Sequence, residues 1–183
     1  LKASNLQDAL ESIKDTDIGS YLKEQSINQF DDLDASLWTY FEEQIEHFEG
    51  LRFFPEEMLE ILSQYILKYD ILNIKAALQM VLTHKKIPLI PVGTIQKHGL
   101  LDELSEAESL DDTIETLKRC GLEEYAYILS EGGKFLDEGL GSRLRLESRL
   151  DNAYYQNLLL VAKNVKEGSL LIRAFGFLID FKN

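Results

Sequence analysis

At 183 residues the chain is long enough to bury a core as one domain or as two small ones, and its 45% hydrophobic and 28% charged residues are ordinary globular composition that excludes wholesale disorder. Thirty-two acidic residues against 19 basic ones give a net charge of −13 and a pI near 4.6. That field repels phosphates, so nucleic acid is excluded as a partner and any electrostatic steering favours basic partners.

In chain order, Leu33, Leu37, Phe41, Ile45 and Phe48 recur at steps of three or four and predict a helix that stops at Gly50. Trp38, Tyr40 and Phe41 share this stripe and are expected as core anchors. Pro55-Glu56-Glu57 suits the first turn of a second helix, whose amides are unpaired and whose dipole end is positive. Its apolar pattern runs from Met58 through Val81 towards Lys85-Lys86, as one long helix or two abutting ones. Ile87 to Gly93 reads IPLIPVG, and its two prolines forbid regular helix, which makes it the clearest connector.

Beyond the connector, Leu100, Leu101 and Leu104 predict a short helix, and Leu110-Asp111-Asp112 opens another that Gly121 stops. Glu123 to Leu129 adds one or two turns. Gly132-Gly133, Gly139 and Gly141 are expected to form a flexible loop ahead of an amphipathic stretch from Leu144 to Val165, and Gly168 separates a last helix. No alternating strand pattern of useful length appears, so the predicted fold is an all-α bundle. The basic clusters, Lys85-Lys86 and Arg143 with Arg145 and Arg149, are expected as solvated helix ends or partner contacts.

The chain resembles itself. Leu6 to Lys14 lies over Leu110 to Lys118 at an offset of 104, which also sets Tyr21 over Tyr125. Leu33-Asp34 lies over Leu150-Asp151, and Trp38 over Tyr155, at an offset of 117, the 13 extra residues falling to the Gly-rich loop. Tyr69-Asp70-Ile71-Leu72-Asn73-Ile74 lies over Ile179-Asp180-Phe181-Lys182-Asn183 at an offset of 110, the comparison running out at Ile74. Two helical repeat units are therefore expected, 1–95 and 96–183, the second truncated and the boundary open to being discontinuous. In each Asp-x-x-Asn block the two polar groups share one helix face, and the reading preferred to catalysis is an interhelical or capping hydrogen bond that fixes register.

Several chemistries find no constellation. Glu42, Glu43, Glu46 and His47 do not supply the Glu-x-x-His spacing of a bundle metal site, and His84 and His98 are expected as exposed helix-end residues, so no metal is assigned. Gly132-Gly133-Lys134 is followed by Phe135 rather than Ser or Thr and lacks the earlier glycine of a phosphate loop, so no nucleotide or other cofactor is assigned. Cys120, alone, forms no intramolecular disulfide and is expected as a small buried hydrophobe in a reducing compartment, the cytoplasm by default. No stretch reaches the roughly 18 apolar residues of a membrane span. Leu1-Lys2-Ala3-Ser4 lacks the plan of a signal peptide, and a first residue other than Met, with the abrupt Asp180-Phe181-Lys182-Asn183, gives the expectation of a chain cut at both ends.

Thr16-Asp17 with Tyr21-Leu22, Tyr69 to Lys75, Leu89-Ile90-Pro91-Val92-Gly93, and Leu150-Asp151-Asn152-Ala153-Tyr154-Tyr155 together resemble the C subunit of V/A-type rotary ATPases, called subunit d in eukaryotes. The resemblance runs in order over nearly the whole chain. It implies an all-α fold of three related helical-bundle units around a central funnel, of which this chain would hold the first and most of the second. It also implies a non-catalytic central-stalk subunit on the cytoplasmic face of the membrane, binding the rotor shaft and the membrane rotor ring and spanning no membrane itself. The positions that carry the signatures are Asp70, Asn73, Lys75, Asp151, Tyr154, Asp180 and Asn183. One departure is Ala76-Ala77-Leu78-Gln79, neutral where the family commonly places a basic residue. The alternative is a helical adaptor or scaffold unrelated to rotary ATPases, which would share the repeat and the acidity.

Overall fold

The computed structural model describes residues 5–51, 53, 55–136, 139–165, 168, 170 and 172–176. Among these residues the regular structure is helical and no strand occurs, as the periodicity predicts. The chain divides into two compact units, Leu1–Phe54 and Pro55–Asn183. This division reflects packing, whereas the expected boundary between 95 and 96 concerns duplication, and the two fall at different places.

The first unit holds α1 (Leu6–Ile13), α2 (Asp17–Leu22) and α3 (Phe30–Glu49). Side chains supply acceptors for amides that a helix start leaves unpaired: Asn5 Oδ1 accepts from Asp8 N at 2.9 Å, and Thr16 Oγ1 from Gly19 N at 3.0 Å. Asp32 reaches back from the first turn of α3 to accept from Asn28 N and Gln29 N. On the α3 stripe Ile45 is buried, while Leu33, Leu37 and Phe41 are half-buried and Phe48 is exposed. The aromatic residues expected as core anchors are likewise half-buried, with Trp38 set edge-on to Phe41 at 6.2 Å and Tyr40 tilted against Tyr21 at 5.0 Å.

The second unit is built round α4 (Glu56–Thr83), a single helix of 28 residues capped by Pro55 and stopped by His84 in the left-handed conformation. It is followed by α5 (Thr94–Lys97), α6 (Leu101–Ser105), α7 (Leu110–Arg119), α8 (Glu123–Gly133) and α9 (Leu140–Asn164), and helical residues recur at 168, 170 and 172–176. The middle of α4 is buried on several sides, at Asp70, Ile71, Asn73, Ile74, Ala77 and Leu78, so it serves as the hub. It packs along α9 and against α7, while α8 bridges α7 and α9. Ile74, Leu78, Leu117, Leu129, Leu146 and Leu150 are fully buried in the resulting core, each stabilising it by about 1.5–3 kcal/mol relative to exposure.

The offset of 104 that aligns the sequence copies sets α1 on α7, and the cap repeats with it: Ser109 Oγ accepts from Asp112 N as Asn5 accepts from Asp8 N. The Gly-rich segment departs from expectation. Gly132 and Gly133 lie inside α8 and Gly141 inside α9, with Gly139 as the N-cap between them. Close packing explains the two α8 glycines, because a Cβ on Gly132 would fall 2.4 Å from a Leu146 methyl and one on Gly133 2.1 Å from a Leu110 methyl. Most of the 13 extra residues are accordingly helical: α8 runs on past Ala126, the counterpart of Leu22, and α9 begins at Leu140, ahead of Glu147, the counterpart of Phe30.

Candidate functional site

The connector from Ile87 to Gly93 contains no helix, as Pro88 and Pro91 dictate, and its backbone polar groups need partners from elsewhere. Asn73 supplies two of them. Its Oδ1 accepts from Ile90 N at 2.7 Å and its Nδ2 donates to Ile90 O at 2.8 Å, so one side-chain amide pairs with both faces of one peptide residue. Ile90 O also accepts from Val92 N at 2.9 Å across Pro91, which fills both of its lone pairs.

One turn earlier on the same face of α4, Asp70 caps a helix distant in sequence. Its Oδ2 accepts from Thr94 N at 2.8 Å and its Oδ1 from Ile95 N at 2.9 Å, the first two amides of α5. The usual capping position is Gly93, which has no side chain to offer. A Cβ there would lie 2.6 Å from Asp70 Oδ1, and the Gly93 φ of +116° is one that L side chains rarely adopt. Glycine thus lets the carboxylate reach the helix start. The Asp70 side chain is fully buried, and burial pushes its carboxyl above the ordinary 3.8, opposed by the Ile95 and Thr94 donors and, more weakly, by Lys97.

On the side of α4 towards α9, polar ties fix an antiparallel register, since residue numbers rise along one helix as they fall along the other. Tyr154 O–H donates to Tyr65 O at 3.2 Å, Lys75 Nζ meets Asp151 Oδ1 at 2.6 Å, and Arg143 donates to Gln79 Oε1 at 3.1 Å and to Glu147 Oε1 at 2.8 Å. The neutral run Ala76 to Gln79 has a physical reason: Ala77 and Leu78 are fully buried, and Gln79 meets a basic side chain from the opposite helix. Arg143 is therefore a helix-to-helix tie, where a solvated end or partner contact was expected. Lys85, Lys86, His84 and His98 are exposed, with His84 and His98 at helix ends.

Of the sequence-predicted positions, Asp70 and Asn73 converge on the connector, while Lys75, Asp151 and Tyr154 converge on the α4–α9 seam. Asp180 and Asn183 lie outside the described residues. Sequence reasoning missed Gly93 as part of the site and missed Ile90, Thr94 and Ile95 as the groups being held. Among the described residues no three His, Cys, Asp or Glu side chains are placed to hold a metal ion. What the arrangement does chemically is fasten: Asn73 holds the irregular segment at Ile90, and Asp70 holds the start of α5 that follows it.

Comparison with known families matches residues 1–183 to the family described as ATP synthase (C/AC39) subunit. The chain belongs to that family. No curated protein and no solved structure matches it. Membership in the ATP synthase (C/AC39) subunit family agrees with the resemblance drawn from Tyr69 to Lys75 and from the connector, and with the all-α fold, and it displaces the alternative of a scaffold unrelated to rotary ATPases. This ATP synthase subunit has, among its described residues, no helix long and apolar enough to cross a membrane.

Proposed function

We propose that this chain is the non-catalytic central-stalk subunit of a V/A-type ATPase or ATP synthase, coupling the central shaft to the membrane rotor ring during ATP-linked proton or sodium transport. The observation that carries this reading is the match of the whole sequence, residues 1–183, to the ATP synthase (C/AC39) subunit family. On this reading the partners are the shaft subunits and the ring, the location is peripheral on the cytoplasmic face, and ATP and the transported ion are handled by other subunits. The signature residues serve structure within repeated helical units, 1–95 and 96–183, and no cofactor enters.

A coupling part transmits torque through contacts without making or breaking bonds in a substrate, so it has to resist local rearrangement, and a close-packed helical core does so. The surplus of acidic groups suits basic partner surfaces. The test is co-purification of the folded protein with purified shaft subunits and with the detergent-solubilised ring. The reading expects retention of both. Failure to retain either, by a sample that melts cooperatively, contradicts it.

A further inference from the structure

We infer that Asp70 and Asn73 are the positioning residues of coupling: by latching the connector to α4 they remove the most compliant joint from the load path. The inference rests on the rotor reading above and assigns it a place in the molecule. Stiffness in a helical assembly is limited by its irregular segments, because helices carry their own hydrogen-bond ladder and connectors do not. Between α4 and α5 lie ten residues without helix, 84–93. Pro88 and Pro91 each fix one backbone torsion, which leaves the remaining residues to bend.

The latch acts where that bending would occur. Asn73 grips Ile90 through both its N–H and its C=O, so Ile90 can neither slide along α4 nor rotate its peptide planes without breaking a bond of 2.7 or 2.8 Å. Asp70 grips the far end of the same segment at Thr94 and Ile95. The two anchors lie one turn apart on one helix face and flank Pro91-Val92-Gly93, of which Val92 is buried. Gly93 is the one residue type that lets the carboxylate close on the helix start. The same α4 carries the α9 seam at Lys75 and Gln79, so a rotation transmitted into α4 passes to both neighbours without slack.

The experiment compares ions transported per ATP hydrolysed in the complete reconstituted complex. Its three forms carry the wild-type subunit, Asn73→Ala, or Ile114→Ala, a truncation of a buried core residue on α7 that removes none of the four connector hydrogen-bond pairs named above. The latch predicts that the Asn73→Ala complex keeps its shaft and ring and hydrolyses ATP normally but transports fewer ions per ATP. Ile114→Ala loses thermal stability yet keeps the wild-type ratio. Equal loss of ratio in both truncations, or an unchanged ratio in Asn73→Ala, overturns the inference while leaving the rotor reading intact. Failure of the wild-type subunit to join the complex sinks the rotor reading instead. Hydrogen exchange on the wild-type protein gives a check that no variant's folding can obscure: the Ile90, Thr94 and Ile95 amides exchange as slowly as the amides in the middle of α4, and fast exchange at these three sites also overturns the inference.

Discussion

Asn73 holds Ile90 at both its N–H and its C=O, 17 residues along the chain, at 2.7 and 2.8 Å. This is the contact of a paired strand made by one side chain. It explains how a proline-rich segment without regular structure lies against a helix in one register.

Removing that amide leaves the Ile90 N–H unpaired and its C=O with Val92 N alone. Asn73→Ala is expected to destabilise the protein by about 1–3 kcal/mol, read as a lower denaturant midpoint at unchanged slope. Asp70→Asn is expected to cost a similar amount, about 1–3 kcal/mol, because its amide nitrogen would face one of the two α5 donors.

Gly93→Ala adds a steric cost to a conformational one. Its new Cβ would sit 2.6 Å from Asp70 Oδ1 in a backbone with φ +116°. The strain alone is expected to reach about 1–3 kcal/mol, and exchange at the Thr94 and Ile95 amides to rise with it, whereas Gly121→Ala, at φ +74° with open space around it, should destabilise through conformation without exposing those amides.

Acid sensitivity divides the carboxylates by sign. Asp32 is held below the ordinary 3.8 chiefly by the Asn28 N–H, and Asp112 by the Ser109 hydroxyl and N–H. Each has a depressed pKa in the folded state, so its contribution is present above 3.8 and is lost as pH falls through the lower folded value. Asp70 is raised by burial, so its contribution is full below 3.8 and declines as pH rises through the folded value. Chemical denaturation against pH should therefore show a shallower loss on the acid side for Asp32→Asn and Asp112→Asn, and a steeper one for Asp70→Asn.

Cys120 is buried against the core, and burial, with the Asp70 charge next, pushes its thiol up from 9.0 to about 11. Two pH units leave about 100-fold less thiolate, so labelling at pH 8 should run at least about 100-fold slower in the native protein than in denaturant. Comparable rates in the two states would show that the α7–α8 turn opens freely.

The readability of this fold from its residues follows the range of the forces. Helix α4 and the connector are legible because periodicity and prolines act locally, and the Gly121 stop is local too. The pairing of Asp70 and Asn73 to one face is also local, but their targets are not: nothing in the spacing says that Ile90 and Thr94 fold back onto α4. A signal was present in the adjacency of an Asp-x-x-Asn face to a segment whose prolines leave its peptide groups unpaired. Gly132 and Gly133 mislead for the opposite reason, since glycine reads as a breaker in sequence while in the fold it admits Leu146 and Leu110 against α8. Tertiary closeness decided a matter that local propensity answers differently.

The central claim, that this subunit carries rotation from shaft to ring, is tested most directly by leaving it out. Complexes reconstituted into vesicles with and without the protein are assayed side by side for ATP hydrolysis and for ATP-driven ion transport. The account predicts that omission abolishes transport while hydrolysis by the remaining head continues, and that adding the protein back restores transport. Transport that persists at the same ratio of ions to ATP without it would contradict the account.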